Sequence, residues 1–505
     1  GDGQADRSTV FYQGHDVDSA LGICVLGEKV IVSCSPDVFV LTDENGDGRA
    51  DNKELLYAKT GTQQHDHSAH AFVCGPAGNL YWNIGNSNLG VFDRSGIVKV
   101  DQFGRDVRNN GKPYRQGMAF RQNFQGDKFE VLAHNLRNSY ELTVDAFGRV
   151  WFTDNDDDGY LATRFCFTLE GGNYGYTDEL TGQLWRAGMR TGMNDAMPLR
   201  HWHQNDPGSI PNVLNNGSGS PSGVEVYEGD LLPAKLYGGI VHCEPGHNVV
   251  RVYLPQTQGA GYTAETIELI DGRSDPWFRP VDAASAPDGS LMIADWYDPG
   301  VGGHRQADID HGRIYRIAPP GATYRCKEPD LQTAAAACAA LCSANHSERY
   351  AAWTALESMS AAAESELGRL SLSEDSRSRA RAYWLLTRLP DKSSVYLKRA
   401  AEDTDPRVRA AAASMTCEAD DDALSVFSKL VGDPSPQVRR AATIALRRFD
   451  HEDYAPLWAQ LAKQFDGQDR WYLEALGLAA DRHWDQCLDA WLTQIGKDDW
   501  KTPAG

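Results

Sequence analysis

Short apolar runs broken by Gly, Asn and Asp fill residues 1–321, and hardly any of that stretch repeats its apolar positions every 3.6 residues. Lys29 to Asp43, KVIVSCSPDVFVLTD, is typical: two Val-rich runs, each too short for a helix, flank Ser-Pro-Asp. β-Branched runs of this length between turn formers predict strands. One phrase recurs, as GPAGNLYWNIGN (Gly75 to Asn86), DAFGRVWFTDND (Asp145 to Asp156) and APDGSLMIADWYD (Ala286 to Asp298). Each copy puts a turn glycine before an apolar strand and a polar cluster where the strand stops. A second pair, DGQAD from Asp2 and DGRAD from Asp47, lies 45 residues apart. Similar strands brought repeatedly to a shared axis predict a β-propeller, and about 320 residues at roughly 40 to 50 per blade make it six-bladed. An array of β-sandwiches is the competing architecture.

Beyond Pro319-Pro320-Gly321 the pattern becomes helical. Of 48 glycines only 6 follow this border, while 35 alanines do. ERYAAWTAL, SRARAYWLL, PRVRAAAAS, PQVRRAATIAL and DRWYLEALGLAA share one template, with Arg349, Arg379, Arg409, Arg439 and Arg470 spaced 30, 30, 30 and 31 residues apart. Asp405-Pro406 and Asp433-Pro434 supply helix-start chemistry, a carboxylate cap followed by a proline tolerated in the first turn. The repeat resembles HEAT-type repeats over roughly residues 330–495. It implies an all-α HEAT-repeat solenoid, a domain spanning 322–505, that docks partners rather than performing chemistry.

Composition narrows the function. The chain has 505 residues and a net charge of -21, which argues against a general nucleic-acid or anionic-membrane binder. No apolar run approaches the roughly 18 residues of a membrane span. The chain opens at Gly1 without an initiator Met or an apolar leader, the expectation being a removed targeting segment. Ten scattered cysteines include no CxxC, no CxxCH haem motif and no zinc spacing; Cys338 and Cys342, four apart in an Ala-rich stretch, read as small buried hydrophobes.

DENGDGRADNKE, Asp43 to Glu54, has oxygen donors at loop positions 1, 3, 5, 9 and 12 (Asp43, Asn45, Asp47, Asp51, Glu54), the Arg49 carbonyl at 7 and Gly48 at 6. This is the EF-hand pattern for calcium. Clustered carboxylates repel unless a hard cation neutralises them. The strand-like flanks make it a fixed clip between strands rather than a sensor.

His65, His67 and His70 fall within six residues just ahead of the first recurrent strand. On chemistry alone they suit metal binding, acid–base work beside Asp66, or a structural role. DHSAHAFVCGPAGNLYWNIGN resembles the segment of soluble quinoprotein glucose dehydrogenases in which an Asp-His pair precedes a GPDG turn and a strand. NLRNSYELTVDAFGRVWFTDND, Asn135 to Asp156, resembles their Arg-Asn-Pro segment. That resemblance implies a propeller holding pyrroloquinoline quinone (PQQ) and calcium over its channel, with His67 as base and Asp66 its neighbour. It also implies Arg137 and Asn138 as contacts to the quinone oxygens, with His65, His70 and Arg279 as further candidates around the cofactor. An arginine is apt there, since charge developing on a reduced quinone needs an always-charged donor.

Phe278 to Ala318, followed by HEAT repeats, resembles the bacterial membrane-bound dehydrogenase family, whose members often continue into a c-type cytochrome domain. The chain departs from the glucose enzymes in Ser139, which replaces Pro, and in TDNDDDG (Thr153 to Gly159), which replaces their calcium-holding turn. Asp154, Asp156 and Asp158 are the metal candidates in that turn. The resemblance implies an exported, periplasmic or extracellular oxidoreductase acting on a sugar or alcohol, with a cytochrome c electron acceptor. A metal-dependent carbohydrate lyase or hydrolase, and a glycan- or protein-binding propeller without turnover, are the alternatives.

Overall fold

The computed structural model describes residues 7–62, 65–126, 128–156, 160–187, 191–217, 219–301, 311–417, 423–449 and 451–495. Among them five β-sheets stand as blades, so the expectation of six is corrected. Their first strands are Gly22–Leu26, Ala69–Cys74, Leu142–Val144, Val224–Val226 and Pro280–Ser285, and each packs on the next. The number falls short of six because two blades carry long insertions. Between Leu80–Ile84 and Gly117–Gln122 of blade 2, the chain detours to add Phe92–Asp93 to the edge of blade 1. Between Thr163–Phe167 and Leu214–Gly217 of blade 3, it adds Gly172–Asn173 in parallel to the edge of blade 2 and forms the helix Met197–His201.

The recurrent phrase marks the turn between the first and second strands of blades 2, 3 and 5. Its glycines, Gly78, Gly148 and Gly289, all have φ between +75° and +80°. The reason is partly steric: a Cβ on Gly78 would lie 2.2 Å from the ring of Trp353, and one on Gly148 would lie 2.8 Å from Trp384. Both tryptophans come from the helical region, which therefore covers this face of the propeller. Trp384 Nε1 also donates to Ala146 O at 3.2 Å. Asn345 Nδ2 donates to Ser285 O of blade 5 at 2.8 Å and Ser347 Oγ to Val25 O of blade 1 at 3.0 Å, so the start of helix His346–Met359 bridges these two blades.

The periodic arginines have a common task. Nη1 of Arg349, Arg379, Arg409 and Arg439 donates to the carbonyls six and five residues earlier, at 2.7–3.2 Å, closing the turn before each helix. Arg379 and Arg409 also pair with Asp403 and Asp433 of the following repeat. Asp405 caps its helix through Arg407 N, whereas Asp433 holds Ser435 N ahead of a helix that begins at Pro436. Arg470 leaves the pattern and reaches the blade 3 insertion through Ser209 O at 3.3 Å. Among the described residues no helix is long and apolar enough to cross a membrane. All ten cysteines are unpaired thiols; Cys338 is buried and Cys342 partly so.

One buried ion cluster joins the two folds. Glu228 of blade 4 pairs with Arg381, with Arg377 Nε at 3.1 Å and with Arg349 Nη1 at 3.8 Å. Burial alone would raise its carboxyl, but Arg381, Arg349 and Arg377 hold it down to about 2. A depressed carboxylate stabilises the fold above its unfolded value of 4.5, and that contribution fades as pH falls toward 2. Glu228→Gln leaves buried arginines facing one another and is expected to cost about 3–5 kcal/mol at pH 7. Urea denaturation of the full chain checks this, with the deficit shrinking as pH falls below 4.5.

Candidate functional site

The opposite ends of the same strands form the propeller's other mouth. His67 closes the short helix His65–His67, just before the first strand of blade 2, and Asn86 follows that blade's second strand. His67 Nδ1 lies 2.6 Å from Asn86 Oδ1, so Nδ1–H is the donor and the lone pair resides on Nε2. Asn86 N donates to Arg137 O at 2.8 Å, and Asn138 Nδ2 donates to Asp66 O at 3.0 Å. The adjacent pairs Asp66-His67 and Arg137-Asn138, far apart in the chain, are thereby brought together. His67, Arg137 and Asn138 are buried.

Asp154 organises this group rather than meeting a metal. Its Oδ2 accepts from Arg164 Nη2 at 2.7 Å and Nε at 3.3 Å. Its Oδ1 accepts from Asn138 N at 2.9 Å and Arg137 N at 3.2 Å. Both side chains are 0% exposed, so the expectation of a metal ligand at Asp154 is corrected: its oxygens are already spent. Asp156 is buried two residues on, and Asp158 lies outside the described residues.

Two further expectations are corrected. His70 is fully buried, stacked on Tyr140 at 4.3 Å, with Nδ1 and Nε2 each 3.0 Å from a carbonyl, those of Ser139 and Asp66. Burial lowers it to about 4, so the ring is neutral and donates to one of the two carbonyls, a brace inside the blade and not a cofactor contact. Arg279 spends its guanidinium on the carbonyls of Gly300, Pro245, Phe278 and Pro299, at 3.0–3.4 Å. It shapes the loop after blade 5's second strand. The His65 side chain lies outside what is described.

The loop from Asp43 is built as a tight turn. Asp43 accepts from the backbone N–H groups of Gly48, Gly46 and Asp47 at 2.8–3.2 Å, and these hold its carboxyl below the usual range. Asn45 Nδ2 donates to Asp51 Oδ1 at 3.0 Å, while Asp47 Oδ1 accepts from Arg49 N at 2.9 Å. Glu54 does not join them. It sits in the strand Asn52–Ala58 opposite Val40. That is three residues, about 10 Å, back along the partner strand from Asp43.

Residues outside the expected set complete the mouth. His201, on the helix of the blade 3 insertion, is 1% exposed, and neither ring nitrogen has a hydrogen-bond partner. Burial, then Arg164 and Arg137, lower it to about 3. Glu244 ends the second strand of blade 4, the position that Asp154 holds in blade 3. Its Oε1 accepts from Ser220 N at 2.6 Å, and His242 Nε2 stands 4.0 Å from Oε2. The signals were HWH at His201 and VHCEPGH after Ile240, the latter at the strand end that the recurrent phrase marks elsewhere. Just before the first strand of blade 3, burial pushes Glu141 well above the carboxylate range, with repulsion from Asp282 in the first strand of blade 5 adding, and burial raises Asp282 to about 6.

Burial raises Glu244 to about 7 from an ordinary 4.5. Its folded form keeps a proton that the unfolded chain loses, so it costs stability as pH rises from 4.5 to 7 and the cost stays above that. Glu244→Gln is expected to flatten this slope and to be more stable than the parent at pH 8 but not at pH 4. Denaturation midpoints at the two pH values check it.

Comparison with known proteins follows the same division. Residues 1–321 match the family model described as Domain of unknown function (DUF7133), and residues 394–477 match HEAT repeats. No curated protein matches the chain. Among solved structures it is similar to an oxidoreductase (glucose dehydrogenase) of Thermus thermophilus, at 14% identity over 61% of this chain and 85% of that one, TM-score 0.40. It is also similar to the PQQ domain of pyranose dehydrogenase from Coprinopsis cinerea (16% identity, 57% and 82% covered, TM-score 0.37). A third is the PQQ-bound aldose sugar dehydrogenase of Streptomyces coelicolor (13% identity, 61% and 96% covered, TM-score 0.35). Because one family model spans the whole propeller, the chain belongs to the DUF7133 family, a domain of unknown function.

Proposed function

We propose that this protein is an exported, periplasmic or extracellular dehydrogenase of the quinoprotein type, oxidising a sugar or alcohol hydroxyl with PQQ and calcium and passing electrons to a cytochrome c-type acceptor. The observation that carries the reading is Asn86, which holds the His67 ring through its side chain and the Arg137 backbone through its N–H. It sets a general base beside an arginine at the mouth of a propeller channel.

The residues fit PQQ along one edge. The cofactor is an anionic quinone, and the mouth offers the buried Arg137 guanidinium, the unpartnered Asn138 Oδ1, which suits a donor or cation, and a neutral His201 whose ring nitrogens are unmet. A buried polar atom without a partner is costly unless a ligand satisfies it. Arg137 and His201 would hold the cofactor. When bound, PQQ supplies the two-electron acceptor for the substrate's carbon-bound hydrogen. His67 takes the hydroxyl proton at Nε2, and the bond from Nδ1–H to Asn86 keeps the ring in the required tautomer. Calcium is assigned to the turn holding Asp43, Asn45, Asp47 and Asp51, as a clip outside the channel.

The experiment is a titration of metal-stripped full-length protein with PQQ and calcium, followed by dye reduction against a panel of sugars and alcohols. Stoichiometric binding is expected, with His67→Gln losing about 100- to 10,000-fold in turnover while still binding PQQ. Arg137→Ala should weaken PQQ binding itself. No binding at micromolar PQQ overturns the proposal and moves the reading to a metal-dependent carbohydrate enzyme or a glycan-binding propeller.

Calcium has its own test. Added calcium should raise the thermal midpoint of the parent and leave that of Asp47→Asn unmoved. An equal rise in both would remove the loop as the site.

A further inference from the structure

Residues 168–213, which leave blade 3 and return to it, carry a second constellation that the dehydrogenase reading does not use. Asp178, His203 and Asp206 each offer one ligand atom, and these atoms all lie within 4.8 Å of one another. His203 is 2% exposed. Its Nδ1 lies 2.7 Å from Gly175 O, a contact only an N–H can make, so the lone pair is on Nε2. That Nε2 is buried and has no hydrogen-bond partner. A buried imidazole with an unmet lone pair, clustered with two carboxylates and with its other nitrogen locked to a carbonyl, is the arrangement of a metal ligand and its outer support.

The carboxylates are positioned as well. Asp178 Oδ1 accepts from Thr181 N at 2.8 Å, Thr181 Oγ1 at 2.9 Å and Leu180 N at 3.1 Å, which fixes the orientation of the group. Asp206 N donates to His203 O at 2.9 Å, closing the turn that brings Asp206 back beside the imidazole. The helical region braces that turn: Arg470 donates to the main-chain carbonyls of Asp206 and Ser209.

We propose that His203, Asp178 and Asp206 bind a divalent transition-metal cation of the zinc class. One imidazole nitrogen with two carboxylate oxygens suits Zn²⁺, Mn²⁺ or Fe²⁺, whereas calcium and magnesium favour oxygen-only sets. Metal–ligand distances of about 2.0–2.2 Å need only a modest closing of the present spacing. The ion acts as a clasp. It ties the stretch after Gly172–Asn173, anchored on blade 2, to the turn that Arg470 holds, and so locks the insertion carrying His201 over the mouth. Glu179, Pro207 and Gly208, next to the ligands in sequence, line a cavity of about 780 Å³ that Trp458 and Arg470 close from the helical side.

The test uses the chelator-treated full chain titrated with Co²⁺, read by its visible d–d absorption, and then with Zn²⁺ in competition. One equivalent of Co²⁺ is expected to give bands that Zn²⁺ erases. His203→Asn should weaken Co²⁺ binding by at least about 100-fold; Asn is the variant of choice because position 203 has a left-handed φ of +50°, which Asn tolerates. Asp178→Asn and Asp206→Asn, close to isosteric, should weaken it as well, and circular dichroism establishes which variants are folded. His67→Gln and Asp47→Asn should keep the bands, which separates this site from the base and from the calcium turn. A folded parent without bands at stoichiometric Co²⁺, or bands that persist in the folded variants of this triad, overturns the proposal. The outcome does not depend on PQQ binding, so failure here and failure of the dehydrogenase reading are distinguishable.

Discussion

The mouth of this propeller depends on a carboxylate that meets no solvent. Asp154 and Arg164 form an ion pair with both side chains fully buried, and each also serves a second segment. Asp154 holds the backbone N–H groups of Arg137 and Asn138, at the exit of blade 2. Arg164 donates from Nη1 to Tyr174 O at 2.7 Å and Asn212 Oδ1 at 3.1 Å, and its guanidinium lies 3.5 Å from the centre of the Trp202 ring. Blade 2, blade 3 and the long insertion thus converge on one pair of charges. A buried pair is a poor source of net stability, because desolvation offsets most of the attraction. Its value here is geometric: removing either partner would strand a charge and release the main chain that presents Arg137.

The other face rests on shape. Trp353 and Trp384 lie where two turn glycines have no side chain, and Glu228 gathers three arginines from the helices. A repeat solenoid on its own exposes its side faces; this one spends a face on the propeller, and one hydrophobic cluster runs through both. The helical region is thereby a structural partner of the blades, whatever else it binds along its remaining surface.

Each misreading of local sequence has a physical cause. His70 lies in the same six-residue cluster as His67, yet it stands in the first strand of blade 2 while His67 precedes it, and inside the blade carbonyls and Tyr140 surround it. Arg279 precedes a blade strand much as Arg137 follows one, but the loop to Gly300 folds back over it and takes up its donors. Asp154 sits in a run of acids that looks like a metal turn until Arg164, ten residues away, is seen to point at it. Glu54 holds the twelfth position of an EF-hand, but a strand at 3.3 Å or so per residue carries it away from the loop, where a helix would curl it back.

Local order was therefore written in the chain. Turn glycines with strands behind them, arginines every thirty residues and the change of composition near Gly321 specify strands, helices and their border, because each depends on neighbours within one element. The number of blades, the company of each histidine and the pairing of each charge were decided only by the tertiary structure. Those properties depend on which distant segments share a low-dielectric interior, and neither spacing nor composition carries that information. His203 shows the difference plainly: in HWH it is one polar residue among several, and in the fold it is a buried imidazole clustered with two carboxylates.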